Sequence, residues 1–139
     1  FSEINLSNID LSGNKFSNSI LNNLNLSNSN FSNTDFSFAS FNNADLSNSL
    51  LTDSNFYMAD FGAANLSNTN FSGSNLLKSY FKNTNFENII IDSNTSTDVC
   101  FEDNLINKIQ CKVYRLVTID DLPYNTTNEN RDNYKIIYP

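Results

Sequence analysis

Large apolar residues return at every fifth position along most of the chain. From Phe1 they run Leu6, Leu11, Phe16, Leu21, Leu26, Phe31, Phe36, Phe41, Leu46, Leu51, Phe56, Phe61, Leu66, Phe71, Leu76, Phe81, Phe86 and Ile91, nineteen in unbroken step. A helix repeats its apolar face about every 3.6 residues and a half-buried strand about every 2, so neither produces this spacing. A fixed short period is read first as a repeat architecture. Around each of these centres the pattern is ordered. The residue two before is small in thirteen of eighteen cases, among them Ser19, Ala39, Ala44, Ser54, Ala59 and Ala64. The residue just before is usually Asn or Asp, and the one just after is usually Ser.

One such unit cannot bury its own Phe or Leu, so units must stack on one another. Alternate residues of an extended segment share a face, so a centre and the small residue two before it point the same way. Large and small inward positions can then interlock in a narrow interior. Asn and Ser suit the corners, where their side chains bond nearby backbone.

The cleanest units are "ADLSN" at 44–48 and "ANLSN" at 64–68. They resemble the pentapeptide-repeat signature Ala–Asp/Asn–Leu–any–any, and the likeness covers residues 1–92. The resemblance implies an all-β fold, a right-handed quadrilateral parallel β-helix with four pentapeptides to a coil. "NLSN" at 5–8, 25–28 and 65–68, with "DLSN" at 45–48, then returns every twenty residues because it always occupies the same side. On that frame Phe1, Leu21, Phe41, Phe61 and Phe81 belong to side one. Leu6, Leu26, Leu46 and Leu66 belong to side two, with Ser7, Ser27, Ser47 and Ser67 expected to stack outside. Leu11, Phe31, Leu51, Phe71 and Ile91 form side three, and Phe16, Phe36, Phe56 and Leu76 side four.

The pattern breaks after Asp92, where Ser96 falls in place of an apolar centre. Phe101, Ile106, Cys111 and Leu116 return in step, and Val99 and Ile109 sit two before a centre. Three regions follow: a regular solenoid over 1–92, a degenerate last coil or a cap of strands over 93–118, and a polar loop with a C-terminal tail over 119–139. The chain starts on a centre without Met, which reads as a processed product or a piece of something longer. No signal peptide or transmembrane run is present in it, and the compartment stays unknown.

Composition adds a conflict that the spacing settles. Abundant Asn and Ser, with 17% charged residues, is the profile of a disordered polar tract. Twelve Phe, all but Phe38 in register, argue against disorder. Chemistry is sparse. There is no His, so no histidine base or histidine metal ligand. Gly13, Gly62 and Gly73 are isolated and make no phosphate loop. Lys15, Lys78 and Lys82 are the only basic residues of the first 92, too few for phosphate contacts. These absences point away from an enzyme, a cofactor, a small-molecule substrate, direct nucleic-acid binding and membrane insertion. Cys100 and Cys111 admit two readings. Continued phase would aim one in and the other out, which favours free thiols, and a disulfide is the alternative.

Three functions fit a rod of this kind. The first is a rigid scaffold for a protein partner or self-assembly, as a module of a longer bacterial protein or effector. The second is a DNA-mimicking inhibitor or protector of DNA gyrase, which the resemblance implies and the net charge of −7 allows. The third is an ice-binding solenoid, from ladders of Ser and Asn. The outward positions sharpen the first reading. On side four Phe38 and Met58 share the second position after the centre, and Tyr57 and Leu77 the first. Tyr80 and Ile20 sit at the corner leading into side one. Together they read as one apolar stripe, covered either by a partner or by the tail, with Val113, Tyr114, Leu116, Ile136, Ile137 and Tyr138.

Overall fold

A computed structural model describes residues 4–100, 113–117 and 135–137. The repeat winds as a parallel solenoid. Strand β1 (Ile4–Asn5) pairs in parallel with β2 (Leu24–Asn25), one coil on. Every bridge from Asp10↔Asn30 to Asn70↔Ile90 likewise joins residues twenty apart. The bridging residue is always the one before a centre. The centre itself donates its N–H upward, as from Phe36 to Asn55 at 2.7 Å and from Phe56 to Asn75 at 2.8 Å.

Coils are numbered here from the one holding Leu6 to Phe16, so that coil two runs through Phe36, coil three through Phe56 and coil four through Leu76. The centres of coils two to four make the core. Phe31, Phe36, Phe41, Phe56, Phe61 and Phe71, with Leu26, Leu46 and Leu66, are buried. Burying each such side chain stabilises by roughly 1.5–3 kcal/mol. On side four Phe16, Phe36 and Phe56 stack at 5.4 and 5.3 Å with rings nearly parallel. Leu6, expected in the core, is instead 39% exposed.

Each corner is a turn with one fixed requirement. The second residue after every centre from Asn8 to Asn88 has φ between 54° and 75°. Phe36 C=O accepts from Ala39 N–H at 3.0 Å, closing a four-residue turn whose third residue is left-handed. That geometry favours Gly or Asn, whose strain there is least. It explains the recurrent Asn at this position, and Gly13 and Gly73 where Asn is replaced. The Asn or Asp before each centre has a second role. Its Oδ1 accepts from the backbone N–H two residues on, as in Asn25 with Ser27 at 3.1 Å and Asp45 with Ser47 at 2.9 Å. The Ser27 and Ser47 hydroxyls donate to the same oxygens at 2.7 and 2.6 Å. These serines are therefore tucked against the rod and largely buried, not displayed as an outward ladder.

Past Asp92 the register slips. Asn75 pairs with Ser96, twenty-one residues on, while Tyr80 pairs with Cys100, again twenty on. Leu76 N–H donates to Ser96 C=O at 2.9 Å, so Thr97 takes the place of the side-four centre in coil five. Val99 is buried in the core. Strand β3 (Asp98–Cys100) then pairs antiparallel with β4 (Val113–Val117), and β4 with β5 (Lys135–Ile137). Leu116 joins the core. Ile109, Phe101, Ile106 and Tyr138 lie outside the described residues.

Cys100 is disulfide-bonded and fully buried. The sequence has one other cysteine, Cys111, which lies outside the described residues and is the one partner the sequence offers. The expectation of free thiols is corrected here. It assumed that the parallel phase continues beyond residue 100. The chain instead returns antiparallel, with Cys100 opposite Val113, which brings the segment next to Cys111 back toward Cys100.

Candidate interaction face

Side four carries a joined apolar group. Phe38 N–H donates to Tyr57 C=O at 2.9 Å, and Met58 N–H to Leu77 C=O at 3.1 Å. These bonds run along the solenoid axis, so the backbone sets Phe38, Tyr57, Met58 and Leu77 side by side over coils two to four. The rings of Phe38 and Tyr57 meet edge to face at 5.6 Å and 84°. Phe38 is 49% exposed, and Tyr57, Met58 and Leu77 are half-buried. Phe38 and Met58 stand in left-handed positions, with φ of 59° and 55°, where Asn or Gly is the local rule. A bulky side chain is an outlier in that region and marks a position held for a reason other than turn geometry.

The other two residues of the expected stripe do not join it. Tyr80 is 6% exposed and packs with Cys100, which stacks on it one coil later. Ile20 is 78% exposed, but Ser40 and Asp60 separate it from Tyr80 along the same column. Ile4, in β1, and two residues of side three are exposed apolar residues outside the expected stripe. Leu50 and Ile90 occupy the bridging column of side three, with Asn70 between them. Their signal was available, since both replace the usual Asn or Asp, but the intervening Asn70 keeps them from forming a patch. Strands β4 and β5 continue the column beyond β3 at the end of the rod.

The acidic residues are dispersed. Asp60 lies on side one, Asp45 and Glu87 on side two, Asp10, Asp53 and Asp92 on side three, and Asp35 and Asp98 on side four. The Ser12 backbone N–H holds Asp10 below the ordinary carboxylate pKa, with help from the Ser12 hydroxyl. Asp92 is lowered chiefly by the Gly73 backbone N–H, which it accepts at 3.0 Å. No cluster of three or more His, Cys, Asp or Glu suited to a metal exists among the described residues. No helix among them is long and apolar enough to cross a membrane.

A family model for pentapeptide repeats matches in 8 copies, over residues 1–33, 29–68 and 54–90. Comparison with curated protein sequences gives no significant match. Among solved structures, HetL is a pentapeptide repeat protein involved in heterocyst differentiation regulation from the cyanobacterium Nostoc sp. strain PCC 7120. It is 25% identical with a TM-score of 0.61, over 63% of this chain and 37% of its own. A pentapeptide repeat protein of the Arabidopsis thaliana thylakoid lumen is 27% identical with a TM-score of 0.34, over 73% of this chain and 71% of its own. Rfr23, from the cyanobacterium Cyanothece 51142, is 23% identical with a TM-score of 0.25, over 66% and 86%. The chain thus spans little more than a third of HetL. With the parallel twenty-residue coil and the family match in agreement, this chain belongs to the pentapeptide repeat family and folds as its right-handed quadrilateral β-helix.

Proposed function

We propose that the chain is a rigid, non-catalytic scaffold that docks a protein, a different one or a second copy of itself, on side four. One observation carries the reading. Phe38, Tyr57, Met58 and Leu77 make a joined apolar surface, whereas Ile20, Leu50 and Ile90 are exposed singly, and two of the four occupy left-handed positions. Joined apolar surface of this kind marks interaction sites, whereas single exposed apolar residues do not. The gyrase-directed reading needs acidic charge focused along one face. The scatter of Asp10, Asp35, Asp45, Asp53, Asp60 and Asp92 over all four sides gives it less support. Ice templating is supported less by side two, whose Ser27 and Ser47 hydroxyls are already bonded to Asn25 and Asp45.

The test compares proteins retained from source-cell extract by the intact chain and by a Tyr57→Ser, Leu77→Ser double variant that keeps the same circular dichroism. A protein held by the first and lost by the second is the expected result. Identical retention by both folded chains overturns the assignment of the face.

A further inference from the structure

Resting on the reading of side four as a docking face, we infer that its occupant is a second copy of this chain, laid antiparallel across coil three. Charge is ordered along the face. Asp35 lies in coil two, in the bridging column, and Lys78 in coil four, directly after Leu77 and in the left-handed column of Phe38 and Met58. Tyr57 and Met58 lie between them in coil three. Among the described residues neither Asp35 nor Lys78 makes an ion pair within the chain.

Two copies can meet face to face in only two symmetric ways. With rods parallel, each coil faces the same coil of the second copy. Asp35 then meets the coil of another Asp35, Lys78 that of another Lys78, and Lys15 that of another Lys15. Like charges in register disfavour that assembly. With rods antiparallel about coil three, coil two faces coil four. Asp35 then opposes the coil of Lys78, and Lys78 that of Asp35, so the favourable pairing occurs twice. Columns are preserved in this arrangement. Met58 faces Met58 of the second copy, and Lys78 comes to the column of Phe38, where an ammonium can sit over the exposed ring. The apolar centre and the charged flanks are thus self-complementary in one orientation and self-repelling in the other. That is the signature of an isologous interface.

Sedimentation velocity of the full chain tests it, over protein concentrations up to about 100 μM. The chain is expected to dimerise. Phe38→Asn with Met58→Asn should leave a folded monomer, because Asn is the residue the same turns carry elsewhere. Asp35→Lys and Lys78→Asp should each weaken the dimer by about tenfold or more, by setting like charges against each other. Both exchanges are tolerated by the fold, since Lys15 occupies the column of Asp35 and Asp53 adopts the left-handed turn geometry of Lys78. Combining the two swaps should recover most of the lost affinity. A monomer at every concentration overturns the self-pairing, while the docking face is judged separately by the retention experiment. A dimer indifferent to Phe38→Asn with Met58→Asn, or a double swap no tighter than the single ones, also overturns it.

Discussion

The hydroxyl of Ser54 accepts the backbone N–H of Thr34, one full coil earlier, at 3.1 Å. The same hydroxyl donates to Phe31 C=O at 2.8 Å. Ser74 repeats this one coil on, toward Ser54 N–H and Leu51 C=O, and Ser49 does so toward Ser29 N–H and Leu26 C=O. At Ala corners the turn is closed by its own backbone, as Ala59 N–H donates to Phe56 C=O at 2.9 Å. The buried serines are therefore donors and acceptors between coils, not merely small.

Ser54→Ala should expose this difference. It removes the hydroxyl that bridges Thr34 N–H and Phe31 C=O, and the corner must tighten to close on its own backbone as Ala39 N–H does on Phe36 C=O, a net loss of one hydrogen bond worth about 0.5–1.5 kcal/mol. Ser37→Ala, at an outward position, should stay within about 0.5 kcal/mol of the parent. Urea denaturation of the two variants checks the contrast, and equal effects would mean that the inter-coil hydroxyl bonds are not stabilising.

The left-handed corners make a second prediction, away from side four. Ala63 sits at φ 56° with no polar side chain to favour that geometry. Ala63→Asn should stabilise the rod by roughly 0.5–1 kcal/mol, from relief of the left-handed penalty. Gly73→Ala should do the opposite. Its φ is 75°, and an added Cβ would lie 2.2 Å from Asp53 Oδ1, so the carboxylate must swing away. Opposite shifts in melting temperature are expected, and a stabilising Gly73→Ala would show that these corners do not hold their left-handed turns in solution.

Where the chain repeats, its sequence was legible almost to the side chain. Phe36 and Phe56 announce their stack because a period of five fixes both phase and side. The failures lie where a residue's surroundings come from outside its own repeat. Tyr80 reads as an outward residue, and it is buried because Cys100 stacks on it across a register slip that no local pattern encodes. Thr97 takes a centre's place one residue late for the same reason. That Phe38, Tyr57, Met58 and Leu77 lie side by side was readable, since they fall wholly within regular coils.

Asp92 anchors the slip and should make the last coil acid-sensitive. Its Oδ1 accepts the N–H groups of Gly73 and Asn94, both at 3.0 Å, and lies 3.0 Å from the Thr95 hydroxyl. These bonds favour the ionised form and lower its pKa from the ordinary 3.8, as the Ser12 bonds do for Asp10. A depressed folded pKa means that the stabilisation is complete above the unfolded value. It is lost as pH falls through 3.8 and on through the lower folded pKa. The melting temperature should therefore be flat above about pH 5 and decline below it. Carboxyl carbon shifts measured by NMR should place the midpoints of Asp92 and Asp10 below 3.8, and midpoints at or above that value would contradict the geometry.

The disulfide gives the last prediction, because it holds the point where the solenoid changes direction. Cys100 N–H donates to Ser79 C=O at 2.7 Å and its C=O accepts from Phe81 N–H at 2.7 Å, so it belongs to the parallel stack. The same residue pairs antiparallel with Val113 in β4. A bridge to Cys111 closes a short loop at that junction, and constraining such a loop stabilises by about 3 kcal/mol in the chain-entropy estimate. Cys111→Ser removes the bridge and leaves the buried Cys100 side chain packed against Tyr80. The expected effect is local. Hydrogen exchange should speed up at Phe81 and Cys100 and in β4, as the cap opens without the rest of the rod. Leu46 N–H, bonded to Asn65 C=O at 2.8 Å in the middle of the stack, should keep its protection. Uniform loss of protection along the rod would show that the cap and the coils unfold as one unit. Unchanged exchange at Cys100 would show that β3–β4 pairing alone holds the end.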